Sequence, residues 1–158
     1  KELGVKELDD WYDKLTLKVI RQNGGRTLLA KYNESPQAAL MASYPEHNWI
    51  PWKFNTVPQG FWKDQQNQRN FFNDLGKHLG VEKLDDWYEK LNFTVTAQYG
   101  GSRLMKIFGG SPIEALKAAY PEHEWIPWKF NYVTRGFWSS KDNIGAFLGE
   151  LSEKLSIQ

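Results

Sequence analysis

Two short clusters in this 158-residue chain carry side chains able to do acid–base or metal chemistry, and both occur twice. Tyr44-Pro45-Glu46-His47 returns as Tyr120-Pro121-Glu122-His123, and Leu8-Asp9-Asp10-Trp11-Tyr12 returns as Leu84-Asp85-Asp86-Trp87-Tyr88. An imidazole beside a carboxylate could begin a metal site, but such a site takes three or four protein ligands. One His and one Glu per copy fall short, and the chain has no Cys to complete the set. No metal is expected. The expected role is local: satisfying backbone donors in the turn before Trp49, or pairing with a nearby Asp. The Asp-Asp pair reads as helix capping. No set of nucleophile, base and orienting group is present, and neither is a phosphate loop nor a nuclease-like acidic cluster. The sequence therefore predicts no catalytic residues and no cofactor.

The remaining candidate chemistry is the binding of phosphate. Basic residues gather around the Gly24-Gly25 and Gly100-Gly101 steps: Lys18, Arg21, Arg26 and Lys31 in the first copy, Arg103 and Lys106 in the second. Lys53 and Lys129 recur within an aromatic stretch, and Arg135 follows. Ser35-Pro36 and Ser111-Pro112 are strong helix starts, and helix N-termini offer backbone N–H groups to an anion. The net charge is only +1, so no global field draws the molecule to nucleic acid or to an anionic membrane. An electrostatic interface must be local. The competing reading is that these charges are merely solvated on helix surfaces.

The elements that would position these residues are set by a repeat. Shifted by 76 positions, the sequence matches itself without a gap at about half of the overlapping residues. Asn67, Phe71, Leu75 and Leu79 recur as Asn143, Phe147, Leu151 and Leu155, and residues 1–5 match 77–81 closely. The expected organisation is unit one over 1–66, its first helix truncated, unit two over 67–142, and the helix of a third unit over 143–158. On this reading the chain was cut from a longer protein, or its ends act as caps.

Within a unit, Asn67 to Leu79 places apolar residues at helical spacing and Gly80 can end the helix. Leu84 to Leu91 is a short turn of helix with acids at its start. Thr16–Gln22 and Thr94–Tyr99 read as helices stopped by the double glycine. Arg26–Tyr32 and Ser102–Phe108 form the next. The Ser-Pro helix follows, with Ala39, Leu40, Ala42 and Tyr44 inward, and stops at Pro45. Trp49 to Phe54 alternates aromatics with proline, which predicts an extended packed tail or a short hairpin with the following Gly-Phe-Trp. Eight Trp, nine Phe and seven Tyr provide large apolar side chains for small cores. Equivalent burial is expected for Trp11 and Trp87, and for Trp52 and Trp128; exposed, the aromatic block would instead stack on bases or grip a proline-rich peptide. The fold class is mainly α: two tandem copies of a small helical unit.

Phe108-Gly109-Gly110-Ser111-Pro112-Ile113-Glu114-Ala115-Leu116 and Tyr32-Asn33-Glu34-Ser35-Pro36-Gln37-Ala38-Ala39-Leu40 resemble the end of homing-endonuclease-associated repeats. In that family an aromatic-Gly-Ser step leads into a helix with an Ala-Leu pair. The resemblance covers about half of each unit, and the proline after Ser and the aromatic tail from Pro45 to Trp62 depart from it. It implies a helical, non-catalytic DNA-binding repeat.

Together these readings predict a tandem-repeat nucleic-acid-binding module, DNA before RNA. Its predicted contacts are Arg21, Arg26, Lys31, Ser35, Lys53, Arg103, Lys106, Ser111, Lys129 and Arg135. The alternative is a protein-interaction repeat using an aromatic or charged groove between units. No apolar run reaches membrane-spanning length, so no membrane partner is expected. An intracellular location is expected, nucleus and organelle not being distinguished.

Overall fold

The computed structural model describes residues 3–157. Lys1, Glu2 and Gln158, the outermost residues of the expected first and third units, lie outside the described residues. The chain is mainly helical, and no strand occurs among the described residues. Four short helices come first: α1 (Trp11–Lys14), α2 (Leu17–Gln22), α3 (Arg26–Lys31) and α4 (Pro36–Ser43). The long α5 (Gln65–Leu79) follows. Then come α6 (Trp87–Lys90), α7 (Phe93–Thr96), α8 (Ser102–Ile107), α9 (Pro112–Ala119) and the long α10 (Lys141–Leu155). No described helix is long and apolar enough to cross a membrane.

Six of these helices start on a single capping side chain. Thr16, Asn92, Ser35, Ser111 and Ser140 each accept a hydrogen bond from a backbone N–H three residues on, and Asp64 accepts from Gln66 two residues on. Each satisfies a donor that the helix itself leaves free. Capping at Asp64 and Ser140 begins α5 and α10 two residues earlier than apolar spacing alone predicts. Gly80 ends α5 in the left-handed region, at φ 73°.

Many contacts made in unit one return 76 residues later. Tyr12 Oη accepts from the Ile50 N–H at 2.8 Å, and Tyr88 Oη accepts from the Ile126 N–H at 2.8 Å. The Trp49 indole donates to the Tyr44 carbonyl, and the Trp125 indole to the Tyr120 carbonyl. Each tail closes over its own unit through these bonds. The tail is not a hairpin. It is broken into two 3-10 turns, Pro51–Lys53 and Phe61–Lys63, and Gly60 between them lies at φ 80°. Pro51 removes a backbone donor and disfavours strand pairing, and unit two, with Thr134 at the position of Pro58, forms the same two turns, Pro127–Lys129 and Phe137–Ser139.

The main core surrounds α5. Phe71, Phe72 and Leu75 are fully buried. Phe71 meets Trp52 and Trp62 from the tail of unit one, edge-on at 5.5 Å in each case. Phe72 meets Trp87 edge-on at 5.6 Å. One helix thus joins the aromatic tail before it to the helices after it, and the core runs across residues 66 and 67 without a break. Polar contacts add to this seat. The Tyr99 hydroxyl donates to Asp74 at 2.9 Å, and the Tyr120 hydroxyl donates to Asn73. Arg69 pairs with Glu122 at 2.8 Å and lies over the Tyr120 ring. Unit one keeps a smaller cluster of Tyr12, Leu15, Leu40 and Phe54.

Burial therefore differs between equivalent residues. Trp87 is buried but Trp11 only half-buried, and Trp62 is buried while Trp138 is exposed. Ala42 and Tyr44, expected to face inward, are exposed. The reason is the neighbour. α5 lies on α9 and shields Tyr120, whereas among the described residues no helix lies on α4 in that way. Trp52 and Trp128 are both half-buried, yet their indoles differ. Trp128 donates to Glu150 at 3.1 Å, while the buried Trp52 Nε1 has no partner. Asp74, at the position equivalent to Glu150, is a methylene shorter and already accepts from Tyr99.

The two glycines of each turn have different duties. Gly25 and Gly101 sit against their own unit: a Cβ on Gly101 would stand 2.8 Å from both Phe71 Cζ and the Thr96 carbonyl oxygen. Gly24 and Gly100 both have positive φ, 87° and 112°. A Cβ on Gly24 would meet nothing within 4 Å, whereas one on Gly100 would stand 2.5 Å from the Trp52 carbonyl oxygen. Gly100 is where the tail of unit one crosses unit two.

Two measurements test this arrangement. Gly24→Ala should cost about 1–2 kcal/mol for the left-handed backbone alone. Gly100→Ala should cost clearly more, because backbone cannot yield as a side chain can; equal costs in denaturant melts would contradict the crossing. Burial also pushes the Tyr99 and Tyr120 hydroxyls up to about 12, with the Asp74 carboxylate adding to the rise at Tyr99 and Arg69 opposing it at Tyr120. An unfolded tyrosine ionises near 10. The stabilisation is full below that pH and is lost as pH rises toward about 12. Tyr99→Phe and Tyr120→Phe should each flatten the alkaline decline in stability, and an unchanged slope would place these hydroxyls in water.

Candidate nucleic-acid interface

The acid–base clusters make local contacts. His47 Nε2 lies 3.1 Å from Asp9, and His123 Nε2 lies 3.2 Å from Asp85. Each ring also stands edge-on to the following tryptophan, Trp49 or Trp125, at 4.3 Å. The next aspartates cap the turn. Asp10 accepts from the backbone of Lys6 and Glu7, and Asp86 from that of Glu82 and Lys83. These backbone hydrogen bonds hold both carboxyls below the ordinary aspartate value. Each half of the Asp-Asp step thus has a separate task. The described residues contain no group of three or more His, Cys, Asp or Glu able to hold a metal.

The expected phosphate ligands separate into several places. Arg21 forms an ion pair with Glu34. Asn33 and Glu34 lie in the left-handed region at φ 52° and 59°, where unit two has Gly109 and Gly110. The ion pair helps hold a turn that lacks its glycines, and unit two has Ala97 at the position of Arg21. Ser35 and Ser111 are occupied as caps, accepting from Ala38 and Glu114. Glu114 also puts a carboxylate in the first turn of α9. Lys53 and Lys129 lie over Tyr12 and Tyr88, 5.6 and 5.8 Å from the ring centroids. Each ammonium is thus held over the face of a tyrosine of its own unit while the lysine stays exposed. Arg26, Lys31 and Arg135 are exposed. Lys31 reaches toward its neighbour Tyr32, at 5.8 Å.

Only Arg103 and Lys106 are brought together with other features into one concave surface. They project from α8 into an open groove whose opposite wall is the end of the unit-one tail, Pro58 to Lys63. Lys63 adds a third cation. None of the three is in an ion pair among the described residues, and no Asp or Glu lines the groove. Phe61 and the exposed Ile107 supply apolar surface beside the charges. Arg103 also borders an adjoining depression formed by Trp52, Asn55, Thr56 and Ser102.

Repetition cannot find Lys63, because its equivalent is Ser139. Nor are Arg103 and Lys106 repeated; their equivalents are Thr27 and Ala30. The groove needs the tail of one unit and α8 of the next, so it forms at the junction. Compared with protein-family models, curated proteins and solved structures, the chain matches none.

The pairing of each His with an Asp accounts for both residues without a metal. A chelator should therefore leave the melting temperature unchanged; a drop on chelation, restored by a divalent ion, would return His47 and His123 to consideration as ligands.

Proposed function

We propose that the chain is a non-catalytic nucleic-acid-binding module, with DNA the leading partner and RNA next, and that the junction groove is its phosphate contact. The observation that carries this reading is the convergence of Lys63, Arg103 and Lys106 in one open groove without a carboxylate. In a chain of net charge +1, three uncompensated cations in one concavity make a local positive field. A phosphate backbone passing through would be neutralised there and release counterions. Phe61 lies where a neighbouring base could rest its face. The resemblance of the Ser-Pro segments to homing-endonuclease-associated repeats supports DNA over RNA.

On this reading Arg103 and Lys106 are primary contacts and Lys63 joins them. Arg26, Lys31, Lys53, Lys129 and Arg135 are peripheral. Arg21, Ser35 and Ser111 serve the fold. A second reading, a protein-interaction repeat, is favoured by an apolar groove on unit one lined by Trp11, Leu28 and Leu40.

The test is binding to random duplex and to single strands across a salt series. Joint replacement of Lys63, Arg103 and Lys106 by Gln should weaken binding to all sequences. It should also reduce the slope of log affinity against log salt by about 2–3, roughly one counterion release per lost phosphate contact. Thermal melts should be unchanged, since all three are exposed. A parent-like slope in the triple variant would remove the groove from the reading, and a parent chain that binds neither nucleic acid would end it.

A further inference from the structure

The cationic groove does not end at Arg103. That residue also borders the second depression, and Val57 and Trp62 line both. The two hollows form one path, walled by residues 52–63 on one side and 100–107 on the other. The character of the path changes along its length. At one end Lys63 and Lys106 stand beside Phe61 and the exposed Ile107. Beyond Arg103, the other end presents Asn55, Thr56 and Ser102. Among the described residues no Asp or Glu lines either hollow.

The polar end keeps hydrogen-bonding capacity that the fold does not use. The Asn55 amide donates to the Asp13 carbonyl at 3.4 Å, which leaves its side-chain oxygen to accept. The Thr56 hydroxyl accepts from Gln37 at 2.8 Å, which leaves its proton to donate. The Ser102 hydroxyl donates to the Ala97 carbonyl at 3.4 Å, which leaves its oxygen to accept. At the cationic end Phe61 is held in place from behind. Its ring stands edge-on to Trp62 at 4.8 Å, and the buried Trp62 stands edge-on to Phe71 at 5.5 Å. A half-buried ring fixed in this way loses little freedom when a ligand stacks on it.

We propose that this path binds a single strand of nucleic acid in preference to a duplex, with a base stacked on Phe61 and phosphates at Lys63, Arg103 and Lys106. The proposal rests on the phosphate reading of the groove and names the form of nucleic acid that fits it. In a duplex the faces of the bases are hidden by stacking, and only their edges reach the grooves. A protein reads those edges with an element that protrudes, such as a helix entering a major groove about 12 Å wide. Here the cations border a concavity, and the aromatic ring lines the same wall as Lys63. A duplex resting on the rim would meet the charges and leave Phe61 without a partner. An unpaired strand offers both groups at once, a base face for the ring and a flexible backbone that can follow the cations. It can then continue past Arg103, where Asn55, Thr56 and Ser102 offer both donors and acceptors to a base edge or a sugar. Stacking accepts any base, so the preference is for strandedness and not for sequence.

Fluorescence anisotropy of the intact chain with a short labelled DNA strand of mixed sequence, free or annealed to its complement, tests the proposal. At equal salt the parent should bind the free strand more tightly than the duplex. Phe61→Ala should weaken binding of the free strand by about 5- to 150-fold, the worth of one stacked base, and leave duplex binding unchanged. Its salt slope should match the parent's, because no charge is lost. Thermal melts check the fold. If Phe61→Ala is unstable, Phe61→Leu keeps an apolar side chain, removes the aromatic face and should give the same selective loss. Equal affinity of the parent for strand and duplex overturns the proposal. So does a Phe61 variant, folded, that binds the free strand like the parent. If the salt slope still falls when Lys63, Arg103 and Lys106 are replaced by Gln, either result leaves the phosphate reading of the groove standing. A parent that binds neither form ends both.

Discussion

The structure depends on the burial of Phe71 and Phe72 on one helix between two sets of tryptophans. Successive residues of a helix point about 100° apart, so adjacent phenylalanines face different neighbours. Phe71 reaches back to Trp52 and Trp62, and Phe72 reaches forward to Trp87. Fully burying such a side chain stabilises by about 1.5–3 kcal/mol, and edge-on aromatic contacts add about 0.5–1.5 kcal/mol each. α5 thereby fixes the tail of unit one against unit two. That placement forms one wall of the junction groove, requires glycine at 100, and buries Leu104, Ala115 and Leu116.

The same constraint explains why two copies of one sequence pattern look different. A unit of this size has too little surface to bury its own apolar face fully. Neighbouring pieces of the chain complete it. Unit two has α5 above α9 and the tail of unit one beside its glycine turn. Unit one, among the described residues, is covered by its own tail, held by the Tyr12 hydroxyl and by Phe54. Trp11, Leu28 and Tyr44 are thus more exposed than their counterparts although their types are unchanged.

Charge follows the same logic. Where cations are matched within a unit, they stabilise local geometry: Arg21 with Glu34, and Arg69 with Glu122. Where they border one groove across a junction, as Lys63 does with Arg103 and Lys106, none is in an ion pair among the described residues. Basic residues near a glycine turn in sequence are therefore of two kinds, and adjacency along the chain does not separate them. The surface that could attract phosphate is made by two units together.

The amino-acid sequence by itself determined what is local and what is periodic. Helix starts at Ser35 and Ser111 and the helix end at Gly80 follow from side-chain chemistry over a few residues, and the 76-residue recurrence is read from the sequence directly; the cap at Asn92, two residues before the apolar spacing suggests a start, was not. Tertiary structure decided what depends on a neighbour. It turned the aromatic tail into two 3-10 turns instead of a hairpin, exposed Ala42 and Tyr44, and assigned Asp9 and Asp10 separate partners. It also drew the unrepeated Lys63 beside Arg103 and Lys106, 40 or more positions away in the chain. The physical reason is that burial and electrostatic compensation depend on every element packed nearby, whereas a cap or a turn depends only on its own few residues. Unit one and unit two carry nearly the same local instructions but do not have the same neighbours.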